Sequence, residues 1–223
     1  MTRAEAAAVA RRQWDKLPHE IKVRLEPKDL QKVLDAAQVP ASLGKRRRVW
    51  FFDTPGRTLA KCGLTLRLRH KKKDADFTVK VRPVVPGALK GRWLRSRLLE
   101  LEADVLGSSR LLSAAVERPV AKTEPKVVLS PLQRALLDEV ARVGLPDGLR
   151  PTLPAEVTVW KLPGLVLERW ELPRGGVALE VSTTVPGESF RAQASWLDLF
   201  LETAKVRKAK AQATKTEALL RTL

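Results

Sequence analysis

Alternation of apolar and polar positions with a period of two dominates the chain. In LTLRLR, Leu64, Leu66 and Leu68 fall on one side of a strand, and Thr65, Arg67 and Arg69 on the other. After the polar run His70 to Asp76, FTVKVR repeats the pattern, with Phe77, Val79 and Val81 against Thr78, Lys80 and Arg82. The two segments predict an antiparallel hairpin with four cations, Arg67, Arg69, Lys80 and Arg82, on one face. HEIKVRL sets Ile21, Val23 and Leu25 against Glu20, Lys22 and Arg24. RLLELEADV sets Leu99, Leu101 and Ala103 against Glu100, Glu102 and Asp104. VWFF, AEVTVWKL, LVLERWEL and GVALEVSTTV complete a set of about eight strands. In the last of these, Val177, Leu179 and Val181 oppose Ala178, Glu180 and Ser182.

Helical spacing predicts the remaining elements: an alanine-rich helix over 3–16, a short helix over 28–37, and one turn at LAKCG stopped by Gly63. A serine cap at 108 or 109 predicts a helix to about Arg118, followed by a connector from Pro119 to Val128. Ser130-Pro131 opens a helix through LQRALLDEVARVG. The last forty residues or so are helical, with Trp196, Leu197, Phe200 and Leu201 as an apolar stripe. The class is α+β. Strand after strand is charged on one face and aliphatic on the other, which suits an open sheet with one wet face or a closed barrel with a charged lumen.

Composition narrows the chemistry. The 223 residues carry 44% hydrophobic residues, enough for a substantial core. A formal charge of +17 points to an anionic partner: nucleic acid, polyphosphate, a nucleotide or a membrane surface. The single cysteine, Cys62, excludes an internal disulfide or a cysteine-rich zinc site, and reads as a buried packing residue. Two histidines leave little material for Ser/His/Asp or Cys/His catalysis. The N-terminus lacks the apolar centre of a signal peptide, and no apolar run approaches a membrane span. A cytoplasmic protein with no membrane partner is expected. The KRRR run (Lys45 to Arg48) and the C-terminal KVRKAKAQATK read as solvated faces that draw polyanions. Nucleic-acid binding by this basic surface is the alternative reading, although the chain has no tyrosine for base stacking. There is no Gly-rich phosphate loop or dinucleotide fingerprint.

Sorted by sign, the charged strand faces suggest one site. Cations lie on the hairpin and, as Lys22 and Arg24, on the first strand; carboxylates are Glu20, the pair Glu100 and Glu102, and Glu180. Two carboxylates at i and i+2 point the same way and suit a hard divalent cation such as Mg²⁺ or Mn²⁺. Cations opposite them suit phosphate oxygens.

The segment FFDTPGRTLAKCGLTLRLRH followed by FTVKVR resembles the CYTH superfamily, the triphosphate tunnel metalloenzymes, and the similarity extends over nearly the whole chain. The resemblance implies an eight-stranded antiparallel closed β-barrel covered by helices, in one domain spanning 1–223. An N-terminal helix would cover 1–17 and a basic helical segment 190–223. It implies binding of triphosphate, polyphosphate or nucleoside triphosphates, with Arg24, Arg67, Arg69, Lys80, Arg82 and Lys22 on phosphate. Glu20, Glu100, Glu102 and Glu180 would hold Mg²⁺ or Mn²⁺. The chain departs from the family's Glu-x-Glu-x-Lys first strand, which here reads Glu20, Lys22, Arg24. Ser182 stands where a second late glutamate is common, and Glu156 and Thr158 where basic residues are usual. Two outcomes are open: a triphosphatase with an altered metal site, or a non-catalytic binder.

Overall fold

The computed structural model describes residues 16–84, 88, 89, 92–107, 109–210 and 215–220. The helix expected over 1–17 lies almost wholly outside them. Ten strands form: β1 His19–Leu25, β2 Lys45–Asp53, β3 Leu64–His70, β4 Ala75–Val81, β5 Glu100–Leu106, β6 Ser109–Val120, β7 Arg150–Pro151, β8 Ala155–Leu162, β9 Leu165–Glu171 and β10 Val177–Val185. Nine of them close a ring in the order β3-β4-β6-β5-β1-β10-β9-β8-β2, with β2 returning to β3. The two-residue β7 only flanks β2. Of the nine junctions, β1 with β5 is parallel and the rest are antiparallel. The barrel is therefore nine-stranded and mixed, not eight-stranded and antiparallel.

The ninth strand is β6, Ser109–Val120, where the serine cap predicts a helix. Pairing with β4 on one side and β5 on the other overrides that propensity. The parallel junction follows. Because β5 and β6 form a hairpin at the ring's middle, β1 is left to pair with the free edge of β5.

Outside the ring, two apolar layers cover the aliphatic faces. One packs Leu64, Leu66, Leu68, Phe77, Val79 and Val81 of the hairpin against Leu136, Leu137 and Val140 of a helix, α4. The helices in chain order are α1 Leu30–Ala36, α2 Thr58–Lys61, α3 Arg92–Arg95, α4 Pro131–Ala135 with its π-helical continuation Leu136–Ala141, α5 Phe190–Thr203 and α6 Lys215–Leu220. In α4, Ser130 and Gln133 form a reciprocal capping box, and the helix widens from Leu136 onward. The fully buried Gln133 side-chain amide then donates to the carbonyls of Phe77 and Val116, fixing the helix on the barrel wall. The second layer places Val33 and Leu34 of α1 and Leu197 and Leu201 of α5 on Ile21, Leu167, Leu179 and Val181. Of the expected α5 stripe, Trp196 is largely exposed and stacks on Phe200.

The third apolar cluster lies inside the ring. Val49, Phe51, Ala155, Val157, Val159, Trp170 and Ala178 share the lumen-facing phase of β2, β8, β9 and β10, and Leu219 and Leu220 of α6 pack on them. Helix α6 thus packs against the apolar side of the lumen. Among the described residues no helix is long and apolar enough to cross a membrane.

Candidate functional site

The Asp-Thr turn ahead of β3 sets up the charged hairpin. Asp53 is buried, and its two carboxylate oxygens accept the backbone N–H groups of Thr54, Leu59 and Ala60 at 2.7–2.9 Å. That holds α2 to the end of β2 and satisfies donors at a helix start. Gly63 ends α2 at φ 73°, where a Cβ would come within 2.2 Å of the Arg82 carbonyl. Only glycine allows β3 to start there, with the Arg82 N–H bonded to the Gly63 carbonyl at 2.8 Å. Cys62, one residue earlier, is exposed, because Leu59 is the one residue of this short helix that turns into the core.

From that start the alternation carries Thr65, Arg67 and Arg69 into the lumen, with Thr78, Lys80 and Arg82 beside them. A cavity of about 410 Å³ is lined by these residues together with Glu20, Lys22, Glu100, Glu102, Asp104, Glu117, Glu168, Glu180 and Ser182. All the expected phosphate and metal residues line it except Arg24, which reaches Glu180 at 3.9 Å. The small side chains of Ser113 and Ala115 on β6 leave room for the long ones opposite.

The cations are not free in this cavity. Lys80 donates to Glu102 at 2.8 Å and to Asp104 at 3.1 Å, and Arg82 donates to Asp104 at 3.1 Å. Arg69 bridges Asp76 at 2.7 Å and Glu117 at 2.6 Å. Arg67 donates to Thr78 at 3.1 Å, while its buried Nε has no hydrogen-bond partner among the described residues. Five cations and seven carboxylates line the cavity, so the lumen is acidic in balance.

Glu20, Glu102 and Asp104 bring one carboxylate oxygen each to within 4.8 Å of one another. The parallel junction is the cause, since it places Glu20 directly opposite Asp104. Glu100 and Glu180 lie on the same lumen face but outside this trio. Lys22 donates to Glu20 and, at 3.1 Å, to Asp104. Burial raises the Glu20 carboxyl above the usual range, reinforced by Glu102 and opposed by Lys22 and Lys80. Burial would raise Asp104 too, but Lys22, Lys80 and Arg82 outweigh it and hold that carboxyl below the ordinary range. The Lys22 ammonium is pulled down by burial and pushed further up by Glu20 and Asp104, ending above its ordinary value.

Two residues the sequence reading left out matter here. Asp104 sat in the same i, i+2 series as Glu100 and Glu102, so its phase was legible. Glu117 was hidden by the helix expected over β6. One expected departure also dissolves: Glu156 and Thr158 face outward, with Glu156 bonded to Arg48 at 2.7 Å, and β8 instead shows Val157 and Val159 to the lumen.

No protein-family model and no curated protein matches this chain. Solved structures do. A proposed adenylate cyclase from Bacillus halodurans superposes with a TM-score of 0.62 at 15% identity, covering 91% of this chain and 96% of that one. A proposed adenylyl cyclase from Hippeastrum, described as having a dominant triphosphatase activity, gives 0.58 at 17% identity over 91% and 95%. A Pyrococcus horikoshii protein gives 0.51 at 16% identity over 92% and 99%. At these identities the likeness is one of fold, and it gives no support to a nucleic-acid partner. The chain shares the closed-barrel fold of these structures, and its hairpin segment is the part that resembles the CYTH superfamily.

Proposed function

We propose that the lumen binds a triphosphate-type anion together with a divalent cation and hydrolyses its terminal phosphoanhydride slowly. The observation that carries this reading is the pairing of two walls in one cavity: Arg67, Arg69, Lys80 and Arg82 on β3 and β4, against the Glu20, Glu102 and Asp104 trio. An acidic lumen repels a bare polyanion, so binding requires added positive charge. Glu20, Glu102 and Asp104 would hold Mg²⁺ or Mn²⁺, which polarises phosphate oxygens when bound.

The protein's own part is positioning. Arg67 offers an unused Nε donor, and Arg69 and Lys80 exchange carboxylate partners for phosphate oxygens as the anion enters. Arg24, Arg82 and Lys22 complete the cationic set, with Glu100 and Glu180 as further acidic groups. Lys22 competes with the metal for Glu20 and Asp104, which lowers metal affinity and favours slow turnover. The test is phosphate release from tripolyphosphate and from nucleoside triphosphates, with Mg²⁺, Mn²⁺ or EDTA, in the wild type and in Glu102→Gln. Metal-dependent release lost in Glu102→Gln is expected. Binding that is equally tight in EDTA and in Mg²⁺ would remove the metal from this account, and absence of binding would remove the whole reading.

A further inference from the structure

A second cationic recess lies at the end of the barrel, apart from the tunnel cavity. The groove between the start of β2 and the β3–β4 turn is a recess of about 880 Å³. Lys45, Arg46, Arg47 and Arg48 line one side, and Lys71, Lys72, Lys73 and Lys122 the other, with Asp74 and Glu156 as the acidic groups. Glu156 is taken by Arg48, and Asp74 lies 3.4 Å from Lys71. No carboxylate among the described residues pairs with Lys45, Arg46, Arg47, Lys72 or Lys73. These five cations around one recess repel each other, a repulsion that a bound anion would relieve. His70, also on its wall, has a buried Nε2 without a hydrogen-bond partner, and the cations Lys122 and Arg48 add to burial in disfavouring its protonation.

The groove abuts the tunnel. Asp76 receives Arg69 from the lumen at 2.7 Å on one carboxylate oxygen and Lys71 from the groove at 2.9 Å on the other. One long anion could therefore touch both. The lining offers no exposed aromatic ring, since its one ring, His70, is packed edge-on against buried Trp50. Base stacking is unavailable, which favours an anion made of phosphate alone over RNA.

We propose that this groove holds the distal part of a linear inorganic polyphosphate whose terminal phosphates occupy the tunnel. The assignment rests on the tunnel reading above, but its test separates the two. Affinities of tripolyphosphate, long-chain polyphosphate and a single-stranded RNA of similar total charge are measured by calorimetry at fixed salt. Three proteins are compared: the wild type, a groove variant (Arg46→Glu, Lys72→Glu, Lys73→Glu) and a tunnel variant (Arg67→Ala, Arg69→Ala). The wild type should bind the long chain about 10-fold or more tighter than tripolyphosphate, the scale of gain a focused positive patch provides. The groove variant should lose that advantage and keep its tripolyphosphate affinity. The tunnel variant should lose tripolyphosphate and retain weak, salt-sensitive binding of the long chain. Unchanged long-chain affinity in the groove variant, or equal loss for both anions, overturns the groove assignment. RNA binding tighter than polyphosphate overturns the choice of partner. Tripolyphosphate binding retained by the tunnel variant sinks the tunnel reading, while the groove comparison still stands.

Discussion

At the scale of single residues, Lys22 is the group that a metal in the proposed site would have to contend with. Its ammonium already neutralises part of the Glu20, Glu102 and Asp104 trio, so a divalent cation bound there would have to displace it. Lys22→Glu removes the competitor and adds a ligand, and should raise Mg²⁺ or Mn²⁺ affinity on the order of tenfold. Metal titration of both proteins checks this; weaker metal binding in the variant would show that lysine supports the site. Asp29 illustrates the opposite use of charge. Buried at the end of β1's loop, it accepts from the Arg207 N–H at 2.9 Å and pairs with Lys32 at 2.8 Å. These bonds, with Lys32's the largest influence, hold its carboxyl below the ordinary range. A depressed folded value contributes stability above the unfolded value of about 3.9, lost as pH falls through the lower folded value. Asp29→Asn should therefore cost about 1–2 kcal/mol at neutral pH. In urea melts the gap from the wild type should narrow in strong acid. A gap independent of pH would mean that packing, and not charge, is what Asp29 supplies.

At the scale of elements, legibility followed the strength of the alternation. β3 and β4 could be read residue by residue because leucine or valine alternates with arginine or lysine without a break. β6 could not. Its lumen face is Ser113, Ala115 and Glu117, its outer face Leu112, Ala114 and Val116, and small residues on both faces blur the period. β8 was recognised as a strand but its lumen phase was inverted, because valines mark its lumen face and Trp160 and Leu162 its outer face. The position of α6 was not legible at all. Nothing local in KTEALL says that Leu219 and Leu220 are held inside a barrel, since the partners that bury them come from four distant strands. Leu219→Ala should cost about 2–4 kcal/mol, the usual loss for a fully buried leucine. Thermal melts would show it. A change near zero would mean that the apolar lumen wall is closed without this helix.

At the scale of the whole molecule, charge is segregated. The acidic balance is inside the tunnel, and a recess with an excess of basic side chains lies apart from it. Removing metal should thus weaken tripolyphosphate binding while leaving the outer groove's attraction for long polyanions intact. Calorimetry in EDTA with both anions measures that difference. Parallel losses for the two would contradict the segregation.

The place of β1 in the ring has a consequence for how the chain folds. It is the first of the described strands, yet its neighbours are β5, some eighty residues on, and β10, the last of them. Hairpins β3–β4, β5–β6 and β8–β9 form from nearby sequence, whereas both seams of β1 join distant parts of the chain. During synthesis the opening strand must wait, unpaired on at least one edge, until Val177–Val185 has left the ribosome. High contact order of this kind gives folding in about milliseconds to seconds. Stopped-flow refolding followed by tryptophan fluorescence should therefore show hairpin-rich intermediates before the final closing phase. Substitutions at the β1–β10 seam, such as Val181→Ala, should speed unfolding while barely changing the earliest phase. A seam substitution that slowed the first phase instead would place closure at the start.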